Sequence, residues 1–241
     1  MDAMKAVTYP FKDRNWVIKL LMAYVGLVPF VGTFFIAGFQ IKTIRENARE
    51  EKEDLPEWSD WGTLLIDGFL SSIIAFFYVG IPVILLSIAL IPFIVGLMVS
   101  FIGLSLENEV GQIIGILGSI GPLASIILLC VGSIWILVGL LLLPMAIGVY
   151  AGTGSIFGAI NFLGITGRIF ANFGNYVMVL IVPFCFGLVW GTVMGAIAAI
   201  PFIGQIIICI VPFLALPLNM YISLVSGKLI GDMFRESSMM H

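Results

Sequence analysis

From Gly68 to Ile230 the chain carries only four charged side chains, Glu107, Glu109, Arg168 and Lys228, whereas residues 2–67 hold 18 of its 25 Asp, Glu, Lys and Arg. This segregation constrains the fold more than any motif does. A helix needs about 20 apolar residues to span a bilayer, and the charge-poor stretch has room for several such spans. Soluble domains carry roughly 25% charged residues; here the value is 10%, against 61% hydrophobic residues in a chain of 241. A water-soluble protein of this size cannot bury so much apolar surface. The solvent expected for most of the chain is hydrocarbon, and the fold class expected is all-α: a polytopic helical membrane bundle.

About six hydrophobic segments can be drawn, at 16–39, 64–90, 91–106, 123–149, 175–198 and 203–227, with Pro/Gly-broken helices. The 64–106 run contains Pro82 and Pro92 and would be about 60 Å long as one helix, twice the hydrocarbon thickness. Either a tight helical hairpin or one span followed by an oblique segment fits it. The glycine-rich run 110–122 is expected to be half-embedded or packed rather than a full crossing. An aliphatic-Pro-Phe-aliphatic pattern recurs around Pro29, Pro92, Pro201 and Pro212. Because proline removes a helix hydrogen bond, these positions are expected to be kinks or turns. Gly111/Gly115 and Gly187/Gly191/Gly195 each line one helix face, as helix-packing glycines do. One membrane domain, 1–241, is expected, with an N-terminal cytoplasmic segment at 1–15, a charged amphipathic interfacial segment at 41–63, a bundle at 64–227 and a cytoplasmic tail at 228–241.

Residues 41–57 read as a helix on a membrane surface, with an interruption expected at Asp54–Pro56. Lys42, Arg45, Arg49 and Lys52 form a basic stripe, the candidate contacts to lipid phosphates. Glu46, Glu50, Glu53 and Glu57 form an acidic stripe beside it, and Ile41, Ile44, Ala48 and Leu55 an apolar one. A solvated helix held by i,i+4 ion pairs is the other reading of the same pattern. Asp54 followed by Glu57 marks a helix start. Trp58 and Trp61 then share a face with Leu65 and Phe69, as in an interface belt. Glu57, Asp60 and Asp67 fall on a neighbouring stripe, so Glu57, Trp58, Asp60, Trp61 and Asp67 make a candidate interaction surface. Asp67 lies at the apolar boundary, where a carboxylate is costly unless paired; Lys19 is a candidate partner.

Lys and Arg favour the cytoplasmic side. The linkers 103–122 and 198–205 contain neither, while Arg168, Lys228 and Arg235 place 150–174 and the C-terminus inside. Both termini are expected to be cytoplasmic, in a multi-pass protein of the cell membrane. Segment 16–39 either crosses, or dips in and returns at Val28-Pro29. Its basic preface and length do not fit a cleavable signal. The three cysteines sit in apolar runs and read as small buried hydrophobes. The single histidine is His241, which leaves no internal imidazole for catalysis or metal binding. No metal or cofactor is expected, and the sparse, interleaved basic residues exclude nucleic-acid binding.

The front half resembles an uncharacterised prokaryotic family of membrane proteins, domain of unknown function 4013. The residues that carry the likeness are Tyr9-Pro10-Phe11-Lys12-Asp13 with Trp16, then Leu55-Pro56-Glu57-Trp58-Ser59-Asp60-Trp61-Gly62, then Asp67-Gly68. The resemblance implies a polytopic helical protein of a bacterium or archaeon and brings no activity or substrate. Three function classes compete: a non-catalytic protein that organises membrane or docks a cytoplasmic or membrane partner, a small-solute transporter or channel, and an intramembrane enzyme. The first is favoured by the 41–67 pattern. Against transport, the later spans hold no deep ionisable residue. Against catalysis, Gly152-Thr153-Gly154-Ser155 lacks the lysine of a phosphate loop. The sequence leaves the oligomeric state open.

Overall fold

The computed structural model describes residues 2–29, 31–50, 54–106, 108–200 and 203–239, with backbone alone at 203–210, 212, 214 and 237–239; helix is the only regular structure among them. The chain divides into two units, Met1–Ile74 with Pro144–His241, and Ala75–Leu143.

In the first unit, α1 (Ala3–Lys12) is capped by Asp2, whose carboxylate accepts from the Met4 and Lys5 amides. Helix α2 (Trp16–Leu21) tightens into a 3-10 turn over Met22–Leu27. The chain then reverses: the Gly32 amide bonds back to the Val28 carbonyl, and α3 runs over Gly32–Arg49. Glycine is required at 32, because a Cβ there would lie 2.1 Å from the Val25 carbonyl oxygen. The 16–39 run is therefore a helical hairpin that turns at Val28-Pro29. Of the two readings of that run, the structure has the one that returns.

Helix α4 (Trp61–Ala75) packs on α3 backbone to backbone. A Cβ on Gly38 would fall 1.8 Å from the Leu64 carbonyl oxygen, and one on Gly68 1.7 Å from that of Phe34. Helix α10 (Ile203–Met239) packs on another face of α3, with Gly227 against Thr43 and Gly231 against Asn47 and Ile44. The rising index on both helices makes them parallel. Ile41 and Ile44 are fully buried at this centre, as are Leu224 and Leu229. The segment expected as a tail is, through Met239, the last part of α10. Two short helices, α7 (Ile156–Ile160) and α8 (Phe162–Ala171), lead to α9 (Phe173–Ala198).

The second unit is built from α5 (Ile81–Leu104) and the part of α6 (Glu109–Thr153) that falls within it. Their close approaches pair Gly103 with Gly115, Gly96 with Pro122, and Tyr78 with Gly139. The near-constant index sum is the signature of an antiparallel pair. The 110–122 run, expected as a short packed segment, is the opening of α6 and packs through its glycines.

Helix runs unbroken over Trp61–Leu104, so 64–106 contains no tight helical hairpin. Of the prolines expected at kinks or turns, Pro92 lies inside a continuing helix rather than at a turn, as does Pro183. At Pro82 a π-helical stretch, Phe76–Gly80, absorbs the missing amide just upstream. Pro201 lies outside the described residues. Cys130 and Cys185, expected to be buried, are exposed on α6 and α9. Among the described residues three helices are long and apolar enough to cross a membrane: Trp61–Leu104, Glu109–Thr153 and Phe173–Ala198.

Candidate functional site

The polar side chains of the first unit gather where α3 ends. The helix stops at Arg49, and residues 54–60 are irregular, so the interruption expected at Asp54–Pro56 is present and the helix expected over 41–57 ends before it. The reason is that side chains satisfy the loop backbone. The Tyr9 hydroxyl donates to the Asp54 carbonyl at 3.1 Å, and Lys19 to the Leu55 carbonyl at 2.7 Å. The Leu55 amide donates to Asp13 at 3.0 Å, and Lys42 to the Glu57 carbonyl at 2.7 Å. A loop held in this way has no need of helical hydrogen bonds. Asp60 then adopts a positive φ of 59°, which Asp tolerates better than most residues. Its carboxylate accepts from the Thr63 hydroxyl at 2.6 Å, so α4 starts at Trp61 rather than near Asp54. These hydrogen bonds hold the Asp60 carboxyl below the usual range.

Asp67 is buried and pairs with Arg45, not with Lys19. Arg45 forms a fork on it at 2.7 and 3.1 Å, the Tyr150 hydroxyl adds a third bond at 2.9 Å, and the Arg45 Nε–H reaches the Ala151 carbonyl at 3.3 Å. One ion pair thus ties α3, α4 and α6 together. Lys19 instead pairs with Asp13 at 2.6 Å. Burial alone would raise the Asp13 carboxyl; the bond from Lys19, with those from the Asn15 and Leu55 amides, outweighs it and holds the group below its ordinary value.

A third cluster was not legible in the sequence. Lys228 and Asp232 on α10 are buried, one helical turn apart and 3.1 Å from each other. Lys228 donates to Asn47 at 2.9 Å and lies 5.4 Å over the Tyr9 ring. Arg235 approaches Asp232 at 3.0 Å, but Asp232 Oδ1 has no aligned hydrogen bond. Burial pushes the Tyr9 hydroxyl up to about 12, so it stays a neutral donor. The signal present in the sequence was the i,i+4 spacing of Lys228 and Asp232 at the end of a long apolar run.

The predicted interaction residues are thus separated by role. Asp67 is internal. Glu57, Asp60 and Trp61 are exposed, and Trp58 is half-buried, stacked on Phe39 at 4.2 Å with the rings 9° from parallel. Trp61 meets Phe35 edge-on at 5.1 Å. Of the candidate phosphate contacts, Lys42 is held by Glu57 and Ser59, Arg45 by Asp67, and Arg49 is exposed; Lys52 lies outside the described residues. Lys42, Arg45 and Arg49 share a cleft of about 230 Å³ with Glu46, Asp60 and Asp67. Its charges balance, so it carries no net attraction for an anion. Among the described residues no His, Cys, Asp or Glu group has metal-holding geometry.

An all-helical chain with three long apolar helices and an ion-paired polar end defines a class compatible with membrane proteins. The chain belongs to a family described as "Protein of unknown function (DUF4013)", whose profile matches residues 21–199. No curated protein and no solved structure matches it.

Proposed function

We infer that this chain is a multi-pass integral membrane protein with a non-catalytic role, docking a protein partner on the rim formed by residues 54–61. One observation carries the reading. The buried or half-buried side chains of Tyr9, Asp13, Lys19 and Lys42 are spent on the loop's backbone groups. Polar groups of a transport path face solute; these face main chain and stiffen an edge. The edge presents Glu57, Asp60 and Trp61 together, a rigid aromatic flanked by two carboxylates, which suits a basic, partly apolar partner surface. Pre-organisation of this kind lowers the ordering cost of binding.

Co-purification from native membranes with quantitative mass spectrometry tests it. Glu57→Gln combined with Trp61→Ala leaves every clamp in place and should reduce a stoichiometric partner at least about tenfold, as loss of a hot-spot pair does. An unchanged set of co-purifying proteins, with the variant as thermally stable as wild type, sinks the docking reading.

A further inference from the structure

Helices α7 and α8 bury one side against the first unit, through Ala159 and Ile165, and leave three large apolar residues almost fully outside: Phe157 is 89% exposed, Leu163 85% and Phe170 77%. These helices cannot span a bilayer. Ten residues of α8 extend only about 15 Å, against about 30 Å of hydrocarbon. They are nevertheless finished as helices. Ser155 Oγ accepts from the Gly158 amide at 3.1 Å, and Asn161 Oδ1 from the Gly164 amide at 3.1 Å. Each cap satisfies one of the first-turn amide donors of its helix.

What covers the outer face follows from its surroundings. The segment joins α6 to α9, both long and apolar enough to cross a membrane. The first turns of α9 after it expose Phe173, Met178 and Ile181. Arg168 is exposed on α8, about 150° round the helix from the Leu163 and Phe170 stripe, so it points away from the apolar side, as a cation paired with a headgroup phosphate does. Gly154, at φ 71°, makes the turn that takes the chain out of α6.

We propose that residues 156–171 are an interfacial anchor, with Phe157, Leu163 and Phe170 set among the outer acyl-chain carbons of one phospholipid leaflet and Arg168 on a headgroup phosphate. The proposal rests on the membrane reading above. It adds a plane to it: Tyr150 and Ala151, which hold Asp67 and Arg45, lie just before the anchor, so the ion pair sits at the headgroup level of that leaflet.

The test is site-directed spin labelling of the full chain in phosphatidylcholine–phosphatidylglycerol vesicles, with Cys130, Cys185 and Cys209 replaced by Ala. Nitroxides go on Phe157→Cys, Leu163→Cys and Phe170→Cys, with Val189→Cys in α9 as the hydrocarbon reference and Glu57→Cys as the aqueous one. Oxygen accessibility should exceed that of a water-soluble nickel chelate at the three sites, at a depth of about 5–10 Å, shallower than residue 189. Aqueous values at 157, 163 and 170 with a hydrocarbon value at 189 overturn the anchor and leave the membrane reading standing. Aqueous values at 189 as well overturn both. Spin–spin broadening at 163 that disappears on dilution with unlabelled chain would place a second copy on this face and also overturn the anchor.

Discussion

Replacing Asp67 by Asn removes one charge from a buried carboxylate that accepts three hydrogen bonds, two from Arg45 and one from Tyr150. The amide keeps the shape and can still accept from Tyr150, so the loss falls mainly on Arg45. Removing one partner of a buried ion pair costs about 3–5 kcal/mol, because the survivor is left uncompensated. The Arg45 side chain is 26% exposed, and water can reach part of its guanidinium. A cost at or just below the lower end, about 2–3 kcal/mol, is therefore expected. The assay is reversible unfolding of the reconstituted chain, either by titration with a denaturing detergent or by steric trapping. Arg45→Met and the Arg45→Met/Asp67→Asn pair complete a double-mutant cycle. The double variant strands no charge and should lose less than the sum of the singles by at least about 1 kcal/mol. Additive losses, or an Asp67→Asn variant within about 0.5 kcal/mol of wild type, would refute the claim that this pair joins α3, α4 and α6.

Gly38→Ala or Gly68→Ala forces backbone apart at a contact below 2 Å and should lower the thermal midpoint in detergent by many degrees or abolish recovery. Gly62→Ala has open space and a better helix former, so it should be neutral or slightly stabilising. Asp13 is held below the ordinary Asp value of about 4, so its contribution is full above that pH and is lost as pH falls through the folded value. Wild type should therefore lose stability on acidification more steeply than Asp13→Asn, as read from thermal midpoints against pH; parallel curves would count against it. Because Asp13 and Lys19 touch Leu55, Arg14→Cys and Glu57→Cys in sealed vesicles should react with an impermeant thiol reagent from the same side. Opposite sides would exclude the hairpin at Val28-Pro29.

Helical class and apolar segments were legible because lipid-compatible helices carry their signal in composition alone. Segment boundaries were less so. At Pro92 a kink or a turn was expected and the helix continues; in an apolar setting ending the helix would strand several backbone groups, whereas continuing past one proline frees only one carbonyl. At Pro82 the accommodation is a local π stretch, which no sequence period announces. The interruption at Asp54–Pro56 was legible, but its length was not: the Asp54…Glu57 spacing mimics a capping box, while the groups that satisfy the loop's backbone, Tyr9, Asp13, Lys19 and Lys42, come from at least a dozen residues upstream. The buried Lys228–Asp232 pair was hidden by its position near the C-terminus, where charge ordinarily means water.

The basic stripe is the most instructive case, because its geometry on α3 was right and its destination was not. Lys42, Arg45 and Arg49 follow Gly38 at intervals of four, seven and eleven, so they continue the line on which Gly38 meets α4. A stripe headed by a backbone-contact glycine faces another helix, not a lipid surface. On that other helix the carboxylate of Asp67 precedes Gly68, the reciprocal contact glycine, by one residue. A charge placed beside such a contact is drawn into it and, largely shielded from water, finds its counter-ion on the facing helix rather than on a distant lysine. Arg45 has the length and the paired donors to do so. Lys42 and Arg49 flank it on the same line, where Lys42 clamps the loop and Arg49 reaches the surface. The contact glycines thus decide which of three similar cations becomes structural.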